Sequence, residues 1–153
     1  MMKIECTKEE FQKLFDLVYA GNVLINGLRN QEEKVEEYAE MEQTIFAMAK
    51  EFGIEGIVEY DEEFKEWIPT HDYEEGGIND YLDAYDTQVF WEELVMRLAR
   101  RDALNHVGDV EPDMSKEKLR AMQESLEEKY EEEFEYHGLE HLKLVEPPLQ
   151  KQS

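Results

Sequence analysis

The sequence predicts a mainly α fold, a helical bundle of about four to six helices with a two-stranded β-ribbon pairing the N- and C-terminal segments. Three observations carry this. Apolar side chains recur at three- and four-residue steps over most of the 153 residues, glycine and proline gather between those stretches, and only the two ends alternate apolar with polar side chains.

Taken in order, Met2 to Cys6 alternates and reads as a short strand. Thr7 and Glu10 then form a capping-box pattern, and Phe11, Leu14, Phe15, Val18, Ile25 and Leu28 continue at helical spacing, so helix one begins at Thr7 and ends between Gly27 and Asn30. Helix two places Val35, Tyr38, Ala39, Ile45, Phe46, Ala49 and Phe52 on one face and Glu32, Glu33, Glu36, Glu37 and Glu40 on the other, with Gly53 as its stop. The two helices should form an antiparallel hairpin. Asn22 and Asn26, four residues apart among apolar neighbours, should fix its register as buried polar groups rather than line a pocket.

Gly53, Gly56, Pro69, Gly76 and Gly77 interrupt the middle, which leaves room for short helices around Ile57 to Trp67 and Ile78 to Tyr85. Asp86 or Thr87 then reads as an N-cap before Phe90, Trp91, Leu94, Val95, Leu98 and Leu104, a helix ending near Gly108. Ser115 caps a last helix with Leu119, Met122, Leu126, Tyr130 and Phe134 inward, glutamate outward and Gly138 as its stop. Leu142 to Glu146 alternates again before Pro147-Pro148, and this second strand is the partner expected for the first. Residues 1–148 read as a single acidic helical domain and 149–153 as a frayed tail.

Composition narrows the class. With 41% hydrophobic and 11% aromatic residues the chain can bury enough apolar surface to offset its conformational entropy without disulfides or metal. A single cysteine, Cys6, excludes an intramolecular disulfide and suits a reducing compartment, and no stretch approaches the roughly 20 apolar residues of a membrane span, so a cytoplasmic protein is expected. Charge is the abnormal property: 16 basic against 39 acidic side chains, a net −23. Glu51 to Asp86 holds 13 of the acids against Lys65 alone, and Glu124 to Glu140 holds 8 against Lys129 alone. Such a field repels nucleic-acid phosphates and anionic lipid and attracts cationic partners.

Thr7-Lys8-Glu9-Glu10-Phe11, Leu17-Val18-Tyr19-Ala20-Gly21-Asn22, Val58-Glu59-Tyr60-Asp61-Glu62-Glu63, and Phe90-Trp91-Glu92-Glu93-Leu94 through Leu98-Ala99-Arg100-Arg101-Asp102 together resemble a group of small acidic bacterial proteins with no assigned activity. The resemblance covers most of the chain. It implies a bacterial origin and assigns no functional residue.

Candidate chemistry is sparse. Glu133, His137 and His141 stand at four-residue steps, but Gly138 should break the helix between the histidines, so no metal ligands are assigned. His71 with Asp72, Glu74 and Glu75 is oxygen-rich but lacks calcium-loop spacing. Cys6 reads as a half-buried structural thiol, and Arg97, Arg100 and Arg101 as neutralising Glu92, Glu93 and Asp102. No catalytic residue, cofactor or metal is assigned. The expected activity is non-enzymatic: a binding or regulatory protein that engages a basic protein through an acidic helical surface, centred on Asp61, Glu62, Glu63, Glu66, Trp67, Asp72, Tyr73, Glu74 and Glu75. Alternatives are a nucleic-acid mimic that inhibits a DNA-binding protein, and an enzyme with an unrecognised site. Trp67, Tyr73, Tyr81 and Tyr85 are expected to pack in the core rather than to form an exposed aromatic contact patch.

Overall fold

The computed structural model describes residues 3–109, 111 and 113–145. The described residues are mainly helical, with five helices and one two-stranded antiparallel sheet, in the order α1 (Lys8–Asn26), α2 (Glu36–Met48), β1 (Val58–Asp61), β2 (Glu66–Pro69), α3 (His71–Glu74), α4 (Ile78–Asp109) and α5 (Lys116–His137). Packing divides the chain into two compact units, Met1–Tyr85 and Asp86–Ser153. No described helix is long and apolar enough to cross a membrane.

In the first unit α1 starts where its capping box dictates. Thr7 N donates to Glu10 Oε2 at 2.8 Å and Glu10 N donates back to Thr7 Oγ1 at 3.2 Å. The pairings Asn26 with Val35, Asn22 with Glu42, Phe15 with Phe46 and Phe11 with Phe52 run in opposite senses along the two segments, so α1 and α2 are antiparallel. Phe11, Phe15, Tyr19, Ile45, Phe46, Ala49 and Ile54 form the buried core, with the Phe11–Phe52 and Phe15–Phe46 rings stacked at 4.1 and 4.4 Å. Val35, at the start of α2, offers no capping side chain. Asn26 serves instead: its Oδ1 accepts from Val35 N at 2.8 Å and its Nδ2 donates to Val35 O at 3.2 Å. Glu32 and Glu33 are not on the helix as expected but in a turn, where both backbone N–H groups donate to Asn30 Oδ1.

The strands lie elsewhere than the ends. Residues 3–7 and 142–145 form no strand, and Met2 and Glu146 lie outside the described residues, as does the expected tail at 149–153. Alternation at the N-terminus is nonetheless real in burial: Ile4 and Cys6 pack against the core of the first unit while Lys3 and Glu5 are exposed. Period-two burial needs a surface to lie on, not a ladder.

The ribbon is instead β1–β2, in the stretch expected to be a short helix, with Glu59 opposite Ile68 and Tyr60 opposite Trp67. β-Branched and aromatic residues at Val58, Tyr60, Trp67 and Ile68 favour strand pairing over a helix too short to support itself. Its loop is built by Asp61, whose Oδ1 accepts from Glu63 N and Phe64 N at 2.8 and 3.0 Å, and by Lys65, which takes a left-handed φ of 55°.

α4 absorbs two elements expected to be separate. Gly77 is the last breaker before Gly108, so once the helix starts at Ile78 nothing at Asp86 or Thr87 stops it, and both lie in its interior. In the second unit Val95, Ala99 and Ala103 of α4 are buried. α5 has the expected ends, with Ser115 Oγ accepting from Lys118 N at 3.3 Å and Gly138 at a φ of 54°. Trp91 packs on Phe134 at 5.6 Å and Tyr130 reaches Asp102, so the two helices of this unit run antiparallel.

Candidate functional site

Two places concentrate chemistry, one in each unit. The first is the β1–β2 ribbon and the α3 turn after it, which hold the residues singled out from the sequence.

Val58 and Trp67 of the ribbon pack against the core, and one side chain of α2 adds hydrogen bonds to its backbone. Antiparallel pairing leaves the backbone groups of Trp67 pointing away from β1, and Gln43 fills both: Trp67 N donates to Gln43 Oε1 at 2.7 Å and Gln43 Nε2 donates to Trp67 O at 2.8 Å. The Trp67 ring, half-buried, meets Tyr60 edge-on at 5.3 Å. Glu62, Glu63 and Glu66 are exposed and Asp61 is half-buried because it closes the loop. Glu66 Oε1 lies 3.9 Å from Lys34 Nζ. Phe64, 69% exposed at the tip, and Tyr60, also exposed, went unnoticed in the sequence; the Asp61-Glu62-Glu63-Phe64-Lys65 turn was the signal that could have found Phe64.

α3 separates its residues by role. Asp72, Glu74 and Glu75 are exposed, and Glu75 Oε1 pairs with His71 Nε2 at 3.0 Å. Tyr73 turns the other way: its ring meets Phe15 and Tyr19 edge-on at 5.2 and 5.3 Å, and its hydroxyl donates to Asp16 Oδ1 at 2.8 Å. Burial, together with the Asp16 carboxylate that accepts its hydrogen bond, holds the Tyr73 phenol far above its ordinary pKa. Of the four aromatics expected in the core, Trp67 and Tyr73 pack against it. Tyr81 and Tyr85 are exposed four residues apart on α4.

Asn22 and Asn26 link α1 to α2 as expected, although they are half-buried and not buried. Asn26 Nδ2 donates to Asn22 Oδ1 at 2.7 Å, and Asn22 Nδ2 donates to Glu42 Oε2 at 2.8 Å. Burial pushes Glu42 up to about 7; the Asn22 hydrogen bond and Lys34 oppose that, and Glu66 adds to it.

The second place is the C-terminal end of α5, beside a cleft of about 550 Å³ lined by Leu98, Phe134, Tyr136 and Leu142 among others. Glu133 and His137 are four residues apart on the helix. Gly138 does end it, but the chain then turns back, held by Glu140 N to His137 O at 3.1 Å and Leu142 N to Leu139 O at 3.0 Å. His141 returns with Nδ1 2.5 Å from Glu133 Oε1, and its ring centroid is 4.6 Å from that of His137. The expectation that Gly138 would scatter the three is thus corrected by the turn that follows. One donor atom from each lies within 4.8 Å of the others. Among the described residues the His71 cluster makes no such group of three.

Arg97 and Arg101 pair with their acidic neighbours as the sequence implied, whereas Glu92 accepts from Gln88 Nε2 at 2.6 Å instead of from an arginine. Arg97 Nε meets Glu93 Oε2 at 2.8 Å, and Arg101 grips Asp102 with Nε and Nη2 at 2.7 and 3.0 Å. Tyr130 donates to the same carboxylate at 2.5 Å, and Arg101 first, with Tyr130, holds Asp102 below the usual carboxylate range. Cys6 is half-buried against the core. No family model, curated protein or solved structure matches this chain.

Proposed function

We propose that this chain is a cytoplasmic, non-enzymatic binding protein of bacterial type that engages a basic protein through the acidic, aromatic-tipped surface of its β1–β2 ribbon. One observation carries the reading: Glu62, Glu63 and Glu66 are displayed around exposed Phe64 and Tyr60 on a ribbon fixed to α2 by the Gln43 side chain. Carboxylates steer a cationic surface toward the tip and set the salt dependence, whereas the aromatic rings supply contact area that survives screening. A rigid mount matters because a preorganised surface loses little conformational entropy on binding. The net −23 adds a long-range attraction for the same class of partner.

The test compares the natural chain with a Glu62→Lys, Glu63→Lys variant and a Phe64→Ala variant as bait against host lysate, washed at rising salt. A basic protein held by the natural chain, released by salt and lost from both variants is the expected result. Equal retention by all three chains, or no protein specific to the natural chain at low salt, overturns it. Duplex DNA added to the captured complex examines the mimicry version: release by DNA identifies a nucleic-acid-binding partner whose phosphate site the carboxylates occupy.

A further inference from the structure

We propose that Glu133, His137 and His141 form a binding site for a divalent transition-metal ion of the zinc type, independent of the acidic ribbon. The donor set is the first reason. Two imidazoles and one carboxylate suit zinc, cobalt or nickel, whereas calcium and magnesium favour all-oxygen sites. In a chain with 39 carboxylates an acidic pair means little, but the cluster brings together two of its four histidines.

Geometry is the second reason. A tetrahedral ion about 2.0–2.2 Å from each donor needs those donors roughly 3.3–3.6 Å apart. The three donor atoms already lie within 4.8 Å of one another, with Glu133 and His141 in direct contact, so side-chain rotations of about an ångström reach that spacing. Glu133 and His137 sit on a regular helix, and His141 is delivered by a turn with two backbone hydrogen bonds and a glycine in the left-handed region. The ion would replace the hydrogen between His141 Nδ1 and Glu133 Oε1 by a bond to each atom, so that contact is the shape the site takes without metal.

Three protein ligands leave a fourth position. The neighbouring 550 Å³ cleft, also lined by Lys129 and Arg101, gives a water or small anion room to occupy it. Arg101 is already spoken for by Asp102, which leaves Lys129 as the cation for such an anion.

The test uses the full-length chain, stripped with chelator and titrated with Co²⁺ and then Zn²⁺ by calorimetry and visible absorption. Expected are one equivalent bound at micromolar concentration or tighter, the intense visible bands of four-coordinate cobalt, and their bleaching by zinc. His137→Ala and His141→Ala should each weaken binding on the order of 100-fold, while Glu74→Gln with Glu75→Gln leaves it unchanged. Should either histidine variant lose its helical circular dichroism, Glu133→Gln, which keeps shape and hydrogen bonding, decides in its place. Absence of one-to-one binding below about millimolar metal, or binding indifferent to these substitutions, overturns the site and leaves a hydrogen-bonded turn closure.

Discussion

The first unit is organised around aromatic rings and the second around alanines. In Met1–Tyr85 the buried cluster holds three phenylalanines or tyrosines of α1 against Ile45 and Phe46 of α2, with Phe52 and Tyr73 closing its sides. Among the described residues of Asp86–Ser153 the buried ones are Val95, Ala99 and Ala103, and α5 buries none of its residues, although Phe90, Met96, Leu104 and Tyr136 offer apolar surface that stays exposed. Apolar material is thus present in both, but only the first unit has three directions of packing, from helix, helix and ribbon, with which to enclose it. Stability should therefore be concentrated in the first unit, while the second leans on polar and charged contacts at its rim.

The largest expected effect tests that contrast directly. Phe15→Ala should cost about 3–5 kcal/mol in urea denaturation, whereas Val95→Ala should cost about 1–2 kcal/mol. Equal costs would break the comparison. Next in size is the pH response of Glu42. Because the folded chain holds its proton up to about pH 7 and the unfolded chain only to the ordinary carboxyl value of 4.5, the stabilisation is complete below about 4.5 and lost as pH rises through 7. Solvent screening of this partly exposed group brings the effect to about 1–2 kcal/mol. Glu42→Gln should therefore be the more stable chain at pH 8 and nearly indistinguishable at pH 4.5, and a difference that fails to grow with pH would show that Glu42 is hydrated. The smallest effect sharpens the account of the second unit: Tyr130→Phe should cost about 1 kcal/mol, by removal of one of the three hydrogen bonds that hold Asp102, measured at neutral pH.

Sequence patterns revealed local chemistry well and long-range choices poorly. Thr7 and Ser115 announce their helices because a cap needs only its own neighbours, and Gly138 announces a stop for the same reason. Gly77 and Asp86 show the opposite. An N-cap residue is a signal only where a helix is beginning, and whether one has already begun is decided upstream. The ribbon at Val58 to Pro69 was missed because four-residue strands carry too few residues for a period to declare itself, and because Gln43, 24 residues away from Trp67, supplies what a third strand would. Among the site residues, the exposed acids were legible from charge alone. That Tyr73 points inward depends on Asp16, Phe15 and Tyr19 being brought to it by the fold, which no local pattern encodes. The meeting of His141 with Glu133 depends likewise on a turn of three residues after a glycine.

The Gln43 clamp gives the ribbon one more property. Glu62, Glu63 and Glu66 display charges that electrolyte masks, but an amide neither titrates nor carries a charge to be masked. Its donor and acceptor hold the two backbone atoms of Trp67 through neutral groups alone, so neither acid nor salt acts on the clamp by changing or screening a charge in it. The structure therefore separates the bracket from the display: acid and salt act on the carboxylates of the ribbon, Asp61 in its loop included, and not on the amide that mounts it.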